Sequence, residues 1–420
     1  MLGPYNGSEQ SVRWKMKRIH VESFGPISRA DIVFGDLTVF VGPQASGKSL
    51  LMQLLKAVKD AGAVRKDLVS YGFDWHHGQD PIRDFCSLYF GGGLGGIVHD
   101  KTVVTQNGKL VQWRNIVDIR KRTLSVRDLE KRYMIAPLPD ESVFLIPAQR
   151  VLVLQDGWPR NFMAYSEGDP YCMRRFSEVL RHLMEQEAWR RKSIFPQAKQ
   201  PAADLKKLID SSVYVGTKLK VDIGGGRKRI MLASDDKAAP LPINAWSAGQ
   251  REFTPLLLGL YWLMPPEELG IRTGVDTVMI EEPEMGLHPQ AVVSFGLLML
   301  ELLRRGYKVI LSTHSPVVLD IVWAVRQLKD EPVALACRML TKIFGLKRMS
   351  SQAKEIFEAS LSKEYRTYFF EREQEGVVVR DISSLDPGDE EDAVAGWGGL
   401  SGFSGYIAEI VGDALSREFT

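Results

Sequence analysis

Gly42-Pro43-Gln44-Ala45-Ser46-Gly47-Lys48-Ser49 decides how this chain folds. An apolar run, Leu37-Thr38-Val39-Phe40-Val41, precedes it, and a helical run, Leu50-Leu51-Met52-Gln53-Leu54-Leu55, follows. Strand, GxxxxGK[ST] and helix in that order are the setting of a phosphate-binding loop. The glycines let successive backbone N–H groups curl around a phosphate, and the helix N-terminus adds the positive end of its dipole. On this reading Gly42, Pro43, Gln44, Ala45, Ser46, Gly47, Lys48, Ser49 and Leu50 hold a nucleotide. Lys48 reaches the β- and γ-phosphates, and the Ser49 hydroxyl sits on Mg²⁺.

Composition sets the bounds around that loop. The 420 residues are 45% hydrophobic and 25% charged, with a formal net charge of +2. Those are the proportions of an ordinary globular protein, and no global field argues for nucleic acid or membrane. Cys86, Cys172 and Cys337 lie far apart without metal-ligand spacing, which suits a reducing compartment. The apolar runs, such as 256–264, are shorter than a membrane span, and the first residues lack a signal-like apolar core. The expectation is a cytoplasmic protein without a membrane partner.

Five segments are expected along the chain. Residues 1–15 read as a polar arm. Residues 16–150 read as an ATPase lobe: strands at 19–22 and 32–34 around Phe24-Gly25-Pro26, the loop, then turns and short β-like runs over 71–115. Gly91 to Gly96 lacks a strand–turn–helix setting, so it reads as a loop and not a dinucleotide fingerprint. The arginines and lysines of 114–133 read first as a solvated surface, with a partner or nucleic-acid patch as the alternative. Val143-Phe144-Leu145-Ile146 is a strand that ends in Gln149 and Arg150, where α/β sheets bind ligands. The segment 151–243 is an insert of helices (172–192, 203–212) and a hairpin over 213–232. The segment 244–320 holds Ser247-Ala248-Gly249-Gln250 before a helix over 253–264, then strand 277–280 ending in Glu281 and Glu282, and strand 308–311 ending in His314. The segment 321–420 is expected to be a helical subdomain and tail, with a solvated acidic turn at 386–392.

Taken singly, most of these signals are weak. Their order is informative: loop, glutamine after a strand, SxGQ before a helix, two acids after an apolar strand, then a strand ending in histidine. That order resembles the ABC-type ATPase heads, specifically the soluble group related to SMC and OLD-family proteins. Glu284 with Leu287-His288-Pro289 is characteristic of the OLD-like members. The resemblance implies an α/β P-loop NTPase of ABC-head type, with a helical and β insert lobe carrying the signature motif. It implies ATP and Mg²⁺ as ligands, Glu281 on Mg²⁺ through water, Glu282 as general base and His314 beside the γ-phosphate. It also implies Gln149 as an Mg²⁺-sensing glutamine. Ser247, Gly249 and Gln250 would face the ATP of a second copy, so that hydrolysis needs a head-to-tail dimer. Trp246 and Ala248 depart from the family's LSGGQ form. The expected role is ATP-driven dimerisation that controls a separate effector protein in antiphage defence. A DNA-repair or chromosome ATPase and a transporter subunit are the alternatives. No acid pattern of a TOPRIM nuclease domain follows His314 in the sequence.

Overall fold

The computed structural model describes residues 16–117, 141–185, 193–196, 203–224, 226–234, 239–265 and 272–400. In chain order its strands are β1 (Arg18–Phe24), β2 (Ile27–Val33), β3 (Leu37–Val41), β4 (Val103–Gln106), β5 (Lys109–Leu110), β6 (Val143–Ile146), β7 (Leu154–Gln155), β8 (Trp158–Pro159), β9 (Ser193–Phe195), β10 (Lys218–Gly224), β11 (Arg227–Ala233), β12 (Thr277–Glu281), β13 (Lys308–Ser312), β14 (Tyr365–Glu373) and β15 (Gly376–Asp381). Ten of them form one sheet in the order β5-β4-β1-β2-β15-β14-β3-β13-β12-β6. The half from β14 to β6 is parallel, whereas β1 pairs antiparallel with β2 and β4. The helices used below are α1 (Lys48–Lys59), α2 (Ala61–Ser70), α3 (Pro81–Phe90), α4 (Trp113–Val117), α5 (Tyr171–Leu183), α6 (Ala203–Ile209), α7 (Ala248–Leu263), α8 (Pro289–Arg305) and α9 (Pro316–Gln327).

The parallel strands read as unbroken apolar runs because both faces of the sheet are covered. Leu37, Val39, Val41, Val278, Ile280, Val309 and Leu311 point into a core shared with Phe253 of α7, Phe295 of α8 and Val322 of α9. The alternate residues Phe40, Met279 and Ile310 point the other way, against Leu51 and Leu54 of α1 and Phe85 of α3. Every strand of this half delivers its C-terminal end to the same rim, the position at which open α/β sheets bind ligands. β3 leads into the 42–49 loop, β6 into Gln149 and Arg150, β12 into Glu281 and Glu282, and β13 into Thr313 and His314.

A buried ionic cluster fixes the far end of α1. Lys56 donates to the Val143 carbonyl at 2.7 Å and lies 3.3 Å from Glu141. Asp60 accepts from Ser142 N, Ser142 Oγ and Val143 N at 3.0, 2.6 and 2.9 Å. Arg175 and Tyr171 of α5 close on Glu141 at 3.0 and 2.7 Å. Burial pushes the Glu141 carboxyl upward, but Arg175 and Lys56 outweigh it and hold its pKa at about 2.

Several local expectations change. Residues 81–90, read as turns and β-like runs, form α3. Asp80 caps it by accepting from Ile82 N and Arg83 N, and Pro81 occupies its first turn. The helix expected over 203–212 is α6 plus a wide turn through Tyr214, so the hairpin starts at Lys218 and not at 213. The C-terminal segment is helical as far as Leu361 and, among the described residues, again only in a short turn of helix at Asp392–Ala395. Between the two it returns β14 and β15 to the central sheet, with β14 lying directly beside β3. The arm 1–15, the cations from Arg120 to Arg132 and the final helix beyond Trp397-Gly398-Gly399 lie outside the described residues, as does the last part of the 172–192 helix.

Candidate active site

The loop between β3 and α1 has the backbone its sequence requires. Gly47, the residue that caps α1, sits at φ 94, and an added Cβ would meet Ile27 Cγ1 at 2.9 Å. Gly42 is pressed on by β14, where a Cβ would fall 2.7 Å from the Phe370 carbonyl oxygen. Pro43, Gln44 and Ala45 are exposed at the mouth, while Ser46 and Lys48 are buried. Lys48 Nζ donates to the Gly42 and Pro43 carbonyls at 2.8 and 2.7 Å. Burial lowers its pKa to about 8 against the opposing pull of Glu282 and Glu284. Ser49 is half-buried on the first turn of α1. Leu50 packs beneath the β1–β2 turn, 3.5 Å from where a Gly25 Cβ would stand, so toward a nucleotide it offers only its backbone.

Across the rim, Glu281 is 1% exposed. Its Oε2 accepts from Ala148 N at 3.0 Å, while Oε1 is buried without a hydrogen-bond partner. Burial raises its pKa to about 7, opposed by the Ala148 N–H and, more weakly, by the nearby Ser49 hydroxyl. An unpartnered buried carboxylate oxygen near a loop hydroxyl fits a hydrated Mg²⁺, which keeps several waters and binds through few protein groups together with phosphate. Among the described residues no group of three or more His, Cys, Asp or Glu is arranged to hold a metal alone. The metal would therefore depend on the nucleotide.

Glu282 follows at φ 41, left-handed for a residue with a side chain. Its N–H donates to the Ser312 carbonyl at 2.9 Å, joining the ends of β12 and β13. His314 Nε2 stands 3.6 Å from Glu282 Oε1. That histidine, over the burial that opposes it, holds the Glu282 carboxyl below its usual range, with help from the charges of Lys48 and Arg150. Glu284 turns back and accepts from the His314 N–H. Burial raises its pKa despite that bond.

The segment read in the sequence as a signature motif opens α7. Ser247 caps the helix: Gln250 N donates to Ser247 Oγ at 3.2 Å and Ser247 N donates to Gln250 Oε1 at 3.1 Å. That reciprocal pair is a capping box. Trp246, in place of a leucine, is buried and donates to the Leu241 carbonyl at 2.9 Å. A Cβ on Gly249 would fall 3.1 Å from the Gly286 carbonyl oxygen, so α7 starts directly against the turn that follows Glu282. Ser247 and Ala248 face solvent. Among the described residues, no hydrogen bond or ion pair joins Ser247, Gly249 or Gln250 to the 42–49 loop.

Gln149 is exposed, and the two residues beside it reach Glu281: Ala148 through its N–H, Arg150 through its guanidinium. Two arginines have roles that the sequence reading did not assign. Arg150, fully buried, donates to the carbonyls of Glu281, Glu282 and Pro283 at 3.0, 3.1 and 3.4 Å. Its one sequence signal is a cation just behind an apolar strand. Arg372 on β14 donates to the Gln44 carbonyl at 2.6 Å, and nothing local in the sequence announces that contact.

Residues 37–320 match the family described as "AAA domain, putative AbiEii toxin, Type IV TA system". The chain is also similar to an OLD nuclease of Thermus scotoductus, with 25% identity over 358 residues. That alignment takes in 76% of this chain and 64% of the nuclease, so the chain spans less than two thirds of the relative's length. Similar solved structures include an SMC head bound to the C-winged helix domain of ScpA, at TM-score 0.40 and 13% identity over 88% of this chain and 97% of that one. The SMC head domain from Thermotoga maritima scores 0.36 at 12% identity over 88% and 99%. A dimeric bacterial ABC transporter cassette scores 0.31 at 10% identity over 72% and 90%. Among the described residues no helix is long and apolar enough to cross a membrane.

Proposed function

The chain belongs to this AAA-domain family of P-loop ATPases, and on that premise we propose that it hydrolyses ATP at a site completed by a second copy of itself. The observation that carries the reading is the meeting of Lys48, Glu281, Glu282 and His314 at one rim, on the adjacent parallel strands β3, β13 and β12.

Lys48 leaves its loop carbonyls and donates to the β- and γ-phosphates. Ser49 and Glu281 would hold a hydrated Mg²⁺, which would supply positive charge against those phosphates. Glu282 accepts a hydrogen bond from the attacking water and turns it toward the γ-phosphorus. His314 donates on the same side. Phosphoryl transfer depends on such positioning more than on proton abstraction, which fits a Glu282 carboxylate kept below its usual pKa. Water adds to the γ-phosphorus as the bond to the ADP oxygen breaks, giving ADP and phosphate.

A second copy enters because Ser247 is exposed and no hydrogen bond ties it to its own loop. Exposed Leu241, Val215 and Met285 lie within two residues of positions that bond or pack against this segment. Exposed apolar side chains near this segment suit a protein interface, whose buried centre is apolar. Ser247 and Gly249 would meet the γ-phosphate of the partner's ATP, with Gln250 fixing the cap and Gln149 sensing Mg²⁺ from the rim. We assign the output to a separate effector, in keeping with the toxin–antitoxin description of the family, and place it in antiphage defence in the cytoplasm. Co-purification with ATP, and its loss in Lys48→Ala, tests that assignment.

The exposed cations Lys220, Arg227 and Lys228 on the β10–β11 hairpin favour a second reading, nucleic-acid handling. Binding that weakens steeply with salt would support it.

A further inference from the structure

A buried arginine is costly to desolvate, and an apolar side chain would fill the same space without that cost. Arg150 offers what an apolar residue lacks, a planar fork that reaches several acceptors in fixed directions. Two of its nitrogens take the three consecutive carbonyls of 281–283. The third, Nε, donates to the Glu252 carbonyl of α7 at 3.2 Å, and the Glu252 carboxylate lies 3.8 Å from Nη2. Arg150 therefore spans two elements: the strap that carries the base and the helix that carries Ser247.

The geometry of Glu282 makes that span matter. A left-handed residue with a side chain persists only where its surroundings over-determine it. The main-chain bonds that fix Glu282 are its N–H to Ser312 and its carbonyl, which accepts from Met285 N within the turn and from Arg150 across it. Glu252 also packs on the turn beyond, since a Cβ on Gly286 would fall 3.2 Å from Glu252 Cγ. A shift of the first turns of α7 thus moves Glu252, and with it one anchor of Arg150.

We propose that Arg150 is a positioning residue that passes the position of the signature helix to the Glu282 carboxylate, so that contact between Ser247 and a partner's nucleotide sets the aim of the base. This rests on the roles given above to Ser247 and Glu282. Two variants of the full chain test it, Arg150→Lys and Glu252→Ala. Lysine keeps the charge but loses the fork. Glu252 is only partly buried, so its variant guards against a simple folding failure.

In nucleotide-free protein, amide hydrogen exchange over 281–287 is expected to quicken in both variants, while 42–49 stays as in wild type. In turnover, Arg150→Lys is expected to lower kcat by about 100-fold, the low end of general-base effects, with ATP affinity nearly unchanged. In a Glu282→Gln background the same change should add nothing, since residues that act as a unit are non-additive. Unchanged exchange over 281–287 in Glu252→Ala, or an equal kcat loss in both backgrounds, overturns the proposal. If the wild-type chain hydrolyses no ATP, the functional reading fails while the exchange arm still decides whether Arg150 couples the two elements.

Discussion

His314 Nε2 stands 3.6 Å from Glu282 Oε1, at the ends of neighbouring parallel strands. That gap is longer than a hydrogen bond, and His314 Nε2 is buried without a partner. Glu282, whose carboxyl His314 holds below its usual range, stays anionic through the neutral range.

The pH profile should therefore come from other groups. kcat/KM reports the free enzyme, in which Glu281 titrates at about 7 and Lys48 at about 8. Mg²⁺ needs Glu281 ionised and phosphate needs Lys48 protonated. A bell is expected with its maximum between those values, and Glu281→Asp should move its acidic limb. An acidic limb that instead follows Glu282 would contradict this assignment.

Glu281 also has a stability signature. Its folded pKa of about 7 lies above the ordinary 4.5, so the folded state binds the proton more tightly than the unfolded chain. Relative to a neutral side chain, wild type is favoured below pH 4.5 and loses that advantage as pH rises to 7. Glu281→Gln should stabilise the nucleotide-free protein at pH 8 by on the order of 3 kcal/mol more than at pH 4.5. Urea unfolding at the two pH values measures the difference.

Lys48→Ala removes the loop's only phosphate-directed charge. Binding of ATP should weaken at least about 100-fold, in the range expected for charge-assisted hydrogen bonds. Isothermal titration checks it, and wild-type affinity would dismiss the loop as the nucleotide site.

Asp60→Ala strips the Ser142 and Val143 N–H groups of their acceptor and takes one carboxylate from Lys56. A loss of about 3 kcal/mol in urea unfolding is expected, the scale for breaking a buried charged network.

Much of the site was legible in the sequence because its signals are local. Lys48 and Ser49 announce themselves by spacing, and Glu281, Glu282 and His314 each end an apolar strand. α3 was missed because the aromatic residues around Phe85 and Tyr89 imitate a strand, although Asp80 and Pro81 are a readable cap. The pairing of β14 with β3 and the bond from Arg372 to Gln44 join residues more than 300 positions apart, and no local pattern encodes them. Arg150 was readable as a rim residue behind an apolar strand, but its role was hidden, because its partners are backbone carbonyls and these carry no sequence signature.

The central claim is that two copies share each ATP, and the Glu282→Gln chain tests it most directly. With Mg²⁺ and ATP its hydrolysis should fall by a factor of about 10² to 10⁴, so the ATP-bound pair accumulates. Light scattering should report twice the monomer mass for Glu282→Gln and the monomer mass for the double variant with Ser247→Arg, which blocks the shared face. A Glu282→Gln chain that stays monomeric with ATP, or that forms the same dimer when Ser247→Arg is added, contradicts the account.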